Sequence, residues 1–187
     1  VHKRPGKKMV LFMGRFTFQK GPEYFVEAAA KVLAARPEVS FVMAGTGELL
    51  PQMIERVAER GIGSRVHFTG FLDGADIERI FALSDLYVMP SVSEPFGITP
   101  LEAMLRDVPV VISKQSGVGE VLRHVPKVDF WDVDEIANKI LAVLRHPPLQ
   151  RTLRHHGAIE LRKMSWKDSA ARLKAIYHTV CNPAGRA

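Results

Sequence analysis

Two glutamates, Glu94 and Glu102, flank a Pro-Phe-Gly turn in the stretch SEPFGITPLEAM, and near the start of the chain GRFTFQKG sets Arg15 and Lys20 in a glycine-bounded loop. Carboxylates accept hydrogen bonds from hydroxyls, and a guanidinium with an ammonium suits an anion with several oxygens, a diphosphate above all. Each feature also has a purely structural reading. Thr99 is a good helix N-cap, Pro100 suits the first helical position and Glu102 stands three residues after the cap, so T-P-L-E reads as a capping box. That accounts for Glu102 and leaves Glu94, Phe96 and Gly97 without a reason. Arg15 and Lys20 read equally as solvated loop cations. Lys20, however, stands beside Gly21-Pro22, where the free amides of a helix start add to the positive field.

Positioning these residues falls to an alternation of short strands and helices. The apolar runs Met9 to Met13, Ser40 to Ala44, Val66 to Phe68, Leu86 to Met89 and Pro109 to Ile112 are rich in β-branched and aromatic residues and read as buried strands. Between them the period changes to that of a helix: Phe25, Ala28, Ala29, Val32 and Leu33 share one face, Met53, Ile54, Val57 and Ala58 a second, and Ile77, Ile80 and Phe81 a third. Pro22 opens the first helix and Pro37 closes it, and Gly61 ends the second. Further on, Ile136, Ala137, Ile140, Leu141 and Leu144 mark a helix that Asp132 caps with Glu135 behind it, stopped by Pro147-Pro148. Ser165 opens a last helix with Trp166, Ala170, Leu173, Tyr177 and Val180 along one stripe. The alternation predicts an α/β fold with a doubly wound, Rossmann-like parallel sheet flanked by helices. Ligands of such sheets bind beyond the carboxyl ends of the strands, so the loops there carry the chemistry.

In those loops Gly14 permits a sharp exit from the first strand, and Gly45 and Gly47, in AGTGELL, let backbone approach a ligand. The dinucleotide fingerprint G-x-G-x-x-G is absent, since Leu50 takes the third glycine's place, which speaks against a nicotinamide-dependent oxidoreductase. Phe71 either packs or faces a base, packing being the favoured reading. The seven histidines show no zinc spacing, and His155 and His156, adjacent on a helix, read as surface or satisfied residues. No metal-ligand cluster is expected.

The bulk numbers bound the answer without deciding it. At 187 residues the chain reads as a single domain (core about 9–163, last helix about 165–181) that buries about 70% of its unfolded surface without disulfide or metal. Hydrophobic residues at 47% and charged residues at 25% exclude a disordered or fibrous chain. The lone Cys181 fits a reducing compartment, and no apolar run is long enough to cross a bilayer, so a cytoplasmic location is expected. Lysine and arginine exceed aspartate and glutamate by 26 to 20, much of the excess lying in residues 2–8 and 145–163. That reads as a solvated surface or as attraction to an anion, and it leaves peripheral membrane contact open. Aromatics are not interleaved with these charges, so nucleic acid is not expected as a partner. The chain starts at Val1 without a methionine, which suggests an excised domain.

At the level of motifs the sequence resembles a known family. GR-x4-KG after the first strand, G-T-G after the second and PS-x-x-EPFG-x4-E after the fourth are similar to the nucleotide-binding C-terminal domain of retaining glycosyltransferases of family 4. This is the GT-B group, which includes glycogen and sucrose-type synthases and many mannosyltransferases. The resemblance runs over residues 9–180, with Glu94 to Glu102 its most specific part. It implies one half of a GT-B fold, with an N-terminal acceptor domain absent from this chain, and a nucleoside-diphosphate sugar as donor. It further implies that Glu94, Phe96 and Gly97 hold hydroxyls of the donor sugar, that Ile98 and Thr99 present amides to the phosphates, and that Glu102 binds the ribose. Arg15 and Lys20 would neutralise the diphosphate, which makes Glu94, Arg15 and Lys20 the catalytic candidates, while Gly45, Gly47 and Phe71 would line the base or pocket. Gly117 and Gly119 would let a further loop approach the donor. No cofactor or metal is implied. The last helix resembles a segment that crosses back to the other domain.

Two departures stand out. Arg106-Asp107 replaces the small residue of the family's A-x-x-x-G-x-PVV, and KVDFWDVDEIA replaces a glycine-rich turn with Pro-Pro. These bear on packing or the rim and on donor and acceptor identity. Two rival functions share the fold: a sugar-nucleotide epimerase, for which an acid and base pair is missing beyond Glu94, and a non-catalytic nucleotide-binding module.

Overall fold

The computed structural model describes residues 6–164 and 166–181, without the side chains of 166 and 168. Ser165, the Trp166 side chain and residues 2–5 of the basic stretch, singled out from the sequence, lie outside the described residues. Three strands match their apolar runs residue for residue: β1 (Met9–Met13), β2 (Ser40–Ala44) and β4 (Leu86–Met89). β3 (Val66–Gly70) runs two residues longer than expected and β5 (Val110–Ser113) is displaced by one. A two-residue β6 (Lys127–Val128) closes the sheet and was not anticipated, being too short to show a period.

All pairings are parallel, in the order β3-β2-β1-β4-β5-β6. The chain builds outward from β1 to β3, then returns to place β4 on the other side of β1. Loops after β1 and β4 therefore leave side by side, at the crevice where such sheets take ligands.

Alternate strand residues feed two cores, as a sheet covered on both faces requires. Val10, Phe12, Phe41, Met43, Leu86 and Val88 meet α1 (Pro22–Ala35) and α6 (Val133–Arg145) on one side. Met9, Leu11, Val42, Tyr87 and Met89 meet α3 (Gly74–Leu83), α4 (Thr99–Leu105) and α5 (Val118–Val121) on the other. The expected faces of α1 and α3 hold, with Ile77 only half-buried. On α2 (Leu50–Glu59) only Met53 and Val57 are buried, whereas Ile54 and Ala58 are exposed. One stripe of this helix touches the core near the sheet's edge, and residues one position further on are rotated by about 100° into solvent.

Asp132 caps α6 as expected, its carboxylate accepting the Glu135 amide at 2.9 Å. Pro147-Pro148 end α6 and at once open α7 (Pro147–Arg162), because proline is tolerated in a first helical turn. The last helix, α8 (Trp166–Cys181), leaves Leu173, Ile176, Tyr177 and Val180 exposed along one side.

Candidate functional site

The site is assembled where β1 and β4 end. The chain leaves β1 through Gly14 and Arg15, makes a 3-10 turn over Phe18–Lys20 and enters α1 at Gly21. Gly21 has φ 62°, and a Cβ there would collide with the Pro90 carbonyl oxygen. Val92 donates to the Gln19 carbonyl at 2.9 Å. The first and fourth loops thus touch backbone to backbone, and this contact delivers the ammonium of Lys20 to the carboxylate of Glu94 as an ion pair. Both side chains are shielded, Lys20 at 26% and Glu94 at 11% exposure. By resemblance these residues have separate partners; the structure joins them. Arg15 is exposed and makes no ion pair among the described residues. Gly14 is not in the left-handed region, and a side chain there would only graze Lys20 at 3.8 Å, so the strand's exit does not depend on it.

The Glu94 loop is braced by the loop after β5. Gly117 donates to the Glu94 carbonyl at 2.9 Å and Val118 to that of Phe96 at 2.7 Å, and a Cβ on Gly117 would collide with the Pro95 carbonyl oxygen. What Gly117 approaches is therefore the fourth loop, while Gly119 has only ordinary contacts. The same correction applies to Gly45 and Gly47, whose missing side chains make room for the backbone of Gly14 and Phe16 in the first loop. Gly97 lets the chain fold over the Glu94 side chain, and Phe96 and Ile98 stay exposed. Phe71, expected to pack, is 75% exposed: its loop follows β3 at the edge of the sheet, and no core lies within its reach.

The capping box is not formed. Ile98 occupies the N-cap position of α4, no side chain caps the helix, and the Glu102 amide bonds to the Ile98 carbonyl at 3.1 Å. Ile98 already has helical dihedrals, φ −76° and ψ −34°, so the helix begins one residue earlier than the spacing implies. Tyr87, 1% exposed, donates its hydroxyl to the Met13 carbonyl at 3.3 Å. Burial pushes the Tyr87 phenol far above its ordinary range; the Thr99 side chain opposes this, and the carboxylates of Glu94 and Glu102 add to it. The hydroxyl is consequently neutral at any working pH. The Glu102 carboxylate, released from capping, is half-buried and unpaired among the described residues.

Arg15, Lys20, Glu94, Thr99 and Glu102 are therefore gathered at the β1/β4 crevice, with Phe96, Gly97 and Ile98 on the same loop, while the Gly45–Gly47 segment and Phe71 lie at the same end of the sheet, after β2 and the edge strand β3. Buried side-chain atoms without a partner also collect at this end: Thr17 Oγ1, Glu23 Oε2, Ser91 Oγ, Ser113 Oγ and Gln115 Oε1. Such atoms are hydrogen-bonding capacity that a polar ligand can take up. Among the described residues no three His, Cys, Asp or Glu side chains converge as a metal would need. His124 is satisfied elsewhere, bonded to Glu160 at 2.9 Å and stacked on His156. No helix among the described residues is long and apolar enough to cross a membrane.

Known proteins share both the sequence and this architecture. The family model described as glycosyl transferases group 1 matches residues 1–159. An uncharacterized glycosyltransferase of Methanocaldococcus jannaschii is 32% identical over 185 residues, covering 96% of this chain and 47% of its own. The crystal structure of the C-terminal domain of a glycosyl transferase group 1 family protein from Francisella tularensis superposes with a TM-score of 0.78 at 25% identity, covering 85% of this chain and 86% of that one. HepE of Anabaena, in complex with UDP-glucose, superposes with a TM-score of 0.81 at 25% identity over 91% of this chain and 49% of its own. The chain spans less than half the length of the curated relatives it matches. Its sheet is that of one half of a GT-B fold.

Proposed function

This chain belongs to the glycosyl transferases group 1, and on that premise we propose that it is the donor-binding half of a retaining transferase that moves a hexose from a nucleoside-diphosphate sugar to an acceptor hydroxyl. The observation that carries the reading is the Lys20–Glu94 pair. Lys20 is assigned to the diphosphate and Glu94 to the sugar, two parts of the donor that a single anomeric bond joins. Residues with those tasks must lie within a few ångströms of each other, and these two are in contact. Arg15 faces the same diphosphate from the exposed side of the first loop, the amides of Ile98 and Thr99 approach it from the fourth, and Glu102 receives the ribose hydroxyls. Phe96 and Gly97 close on the sugar, and Phe71 with the Gly45–Gly47 segment borders the base.

Breaking the anomeric bond leaves a nucleoside diphosphate whose negative charge grows. Fixed cations stabilise that charge more in the transition state than before it, which is the condition for acceleration. The charge balance is met by Arg15 and Lys20 without a metal. The acceptor site belongs to the other half of the polypeptide, on which the exposed α8 stripe of Leu173, Ile176, Tyr177 and Val180 packs. The isolated chain accordingly binds donor nucleotide without transferring sugar. A cytoplasmic location accords with the single free cysteine, Cys181.

The test is steady-state kinetics on the full-length protein against UDP-, ADP- and GDP-sugars, with the anomeric configuration of the product determined. Transfer with retention is expected from at least one donor. In Lys20→Ala, kcat and kcat/KM should fall together by about 10² to 10³, the usual loss for one preorganised electrostatic group. Failure of every donor would refute the assignment, and a raised KM with unchanged kcat would reduce Lys20 to a holding role.

A further inference from the structure

We propose that Arg106 is a positioning residue for the donor site: its guanidinium, clamped by Glu78 of α3, holds the backbone of α4 at Glu102 and so sets the carboxylate that receives the ribose. The inference rests on the donor-site reading above.

The need for a clamp follows from the length of α4. At seven residues the helix is too short to hold itself in place, so its position is set by what it packs against. Toward α7, Met104 fits over Gly157, where a Cβ would stand 3.1 Å from the methionine's terminal carbon. Toward α3 the tie is Arg106. Its Nε donates to Glu78 Oε2 at 2.7 Å and its Nη2 to the other carboxylate oxygen, the two-pronged match of guanidinium and carboxylate. The guanidinium lies over the ring of the fully buried Phe81, 5.2 Å from its centroid. Nη1 donates to the Glu102 carbonyl at 2.8 Å. That carbonyl is open to it because the helix tightens at its end: the Arg106 amide goes to Ala103 at 3.0 Å instead of to Glu102, four residues back. One side chain thus satisfies the main chain at Glu102 and fixes it to α3. An arginine four residues after a glutamate ordinarily pairs with its carboxylate. Here Glu78 occupies the fork, and among the described residues no ion pair joins Arg106 to Glu102, which leaves the Glu102 carboxylate free for a ligand. In the sequence Arg106 stands out only beside Asp107 as a departure from the family pattern, and nothing there points to Glu78, 28 positions away.

The experiment titrates the full-length protein with UDP, ADP and GDP, with the dideoxyribose analogue of whichever binds best, and with inorganic pyrophosphate. Pyrophosphate can reach Arg15 and Lys20 but brings no ribose to Glu102. The wild type is compared with Arg106→Ala, Arg106→Lys, Glu78→Ala, the double variant Glu78→Ala/Arg106→Ala and Arg79→Ala. Arg106→Ala and Glu78→Ala are each expected to weaken binding of the preferred nucleotide about fivefold, the effect of one hydrogen bond. Pyrophosphate affinity should stay at the wild-type value, and the preference for ribose over dideoxyribose should shrink by the same factor. The double variant should lose little more than either single variant, because both break one link. Arg106→Lys should recover only part of the loss, since an ammonium cannot span Glu78 and the Glu102 carbonyl as a planar fork does. Arg79→Ala, which removes an exposed cation from the same α3 helix, should match the wild type throughout. Wild-type nucleotide affinity in Arg106→Ala, or equal losses for nucleotide and pyrophosphate, would overturn the positioning role while leaving the donor-site reading intact. If the wild-type protein bound none of the three nucleotides, or bound the dideoxyribose analogue as tightly as its parent, the assignment of Glu102 to the ribose would fall, and this role with it.

Discussion

The ammonium of Lys20 and the carboxylate of Glu94 meet across 74 positions of sequence, pinning the loop after β1 to the loop after β4. Cutting such a shielded pair leaves the surviving charge without its partner. Lys20→Ala is therefore expected to lower unfolding free energy by about 1 to 3 kcal/mol, less than a fully buried broken pair costs because Lys20 keeps some contact with water. Urea denaturation measures this, and a loss under about 0.5 kcal/mol would show that the pair does not hold the loops together.

The donor-site reading gives the two glutamates separable tasks. Glu94→Gln removes the competitor for the Lys20 ammonium and should bind a bare nucleoside diphosphate at least as tightly as the wild type. Glu102→Gln should weaken it by roughly tenfold, the worth of a charge-assisted hydrogen bond. Since the Glu102 side chain caps nothing, its replacement should leave stability within about 0.5 kcal/mol of wild type. Calorimetric titration of both variants checks the assignment, and equal losses would contradict it.

Asp107 and Gly61 occupy equivalent helix ends with unequal chemistry. α2 ends with Gly61 at φ 66°, the Ile62 amide reaching the Val57 carbonyl and the Gly61 amide that of Ala58. α4 ends in the same way, Val108 reaching Ala103 at 3.0 Å and Asp107 reaching Met104 at 3.1 Å, but with aspartate at φ 59°. Glycine adopts that conformation without steric cost. Asp107→Gly is expected to stabilise the domain by about 1 kcal/mol, or roughly 2 to 4 °C in melting temperature. An unchanged or lowered melting temperature would mean that the Arg154 contact of Asp107, at 3.8 Å, outweighs the backbone term.

Glu160 governs the acid limb. This α7 carboxylate is 7% exposed, and desolvation raises its pKa, but the amides of Arg123 and His124 and the His124 ring outweigh that and hold it below its ordinary value. A depressed carboxylate contributes stability that is present above its unfolded pKa of about 4.3 and is lost as pH falls through the folded value. Melting temperature should drop below about pH 4.3 in the wild type, and Glu160→Gln should be less stable at pH 7 with a shallower acid limb. Parallel acid limbs for the two proteins would refute the role.

Most of the fold was legible because buried parallel strands are written as short β-branched runs: β1, β2 and β4 begin and end where those runs do. Caps made within four residues were legible only where the backbone enters the helix at the expected residue. Asp132 caps α6 as its spacing implies, whereas Thr99 does not cap α4, because Ile98 is already helical and the helix begins one residue early. Motif spacing brought Arg15, Lys20, Glu94 and Glu102 to one end of the sheet but said nothing of pairing, which depends on strand order and on the fit of Gly21 against Pro90. The glycines at 45, 47 and 117 look in the sequence like room for a ligand and are room for neighbouring loops, since a sequence records that space is needed and not what fills it. Phe71 shows the converse, an aromatic residue whose solvent position no local pattern discloses.

The central claim is that the β1/β4 crevice holds the diphosphate of a donor nucleotide through Arg15 and Lys20 without a metal. Thermal unfolding of the protein with millimolar UDP, ADP or GDP in the presence of EDTA tests it most directly, since a ligand that binds only the folded state raises the melting temperature by mass action. At least one nucleotide is expected to raise it, with the shift abolished in Arg15→Ala/Lys20→Ala and retained in Phe71→Ala to a lesser extent. No shift with any nucleotide, a shift that disappears with EDTA, or a shift that survives loss of both cations would contradict the account.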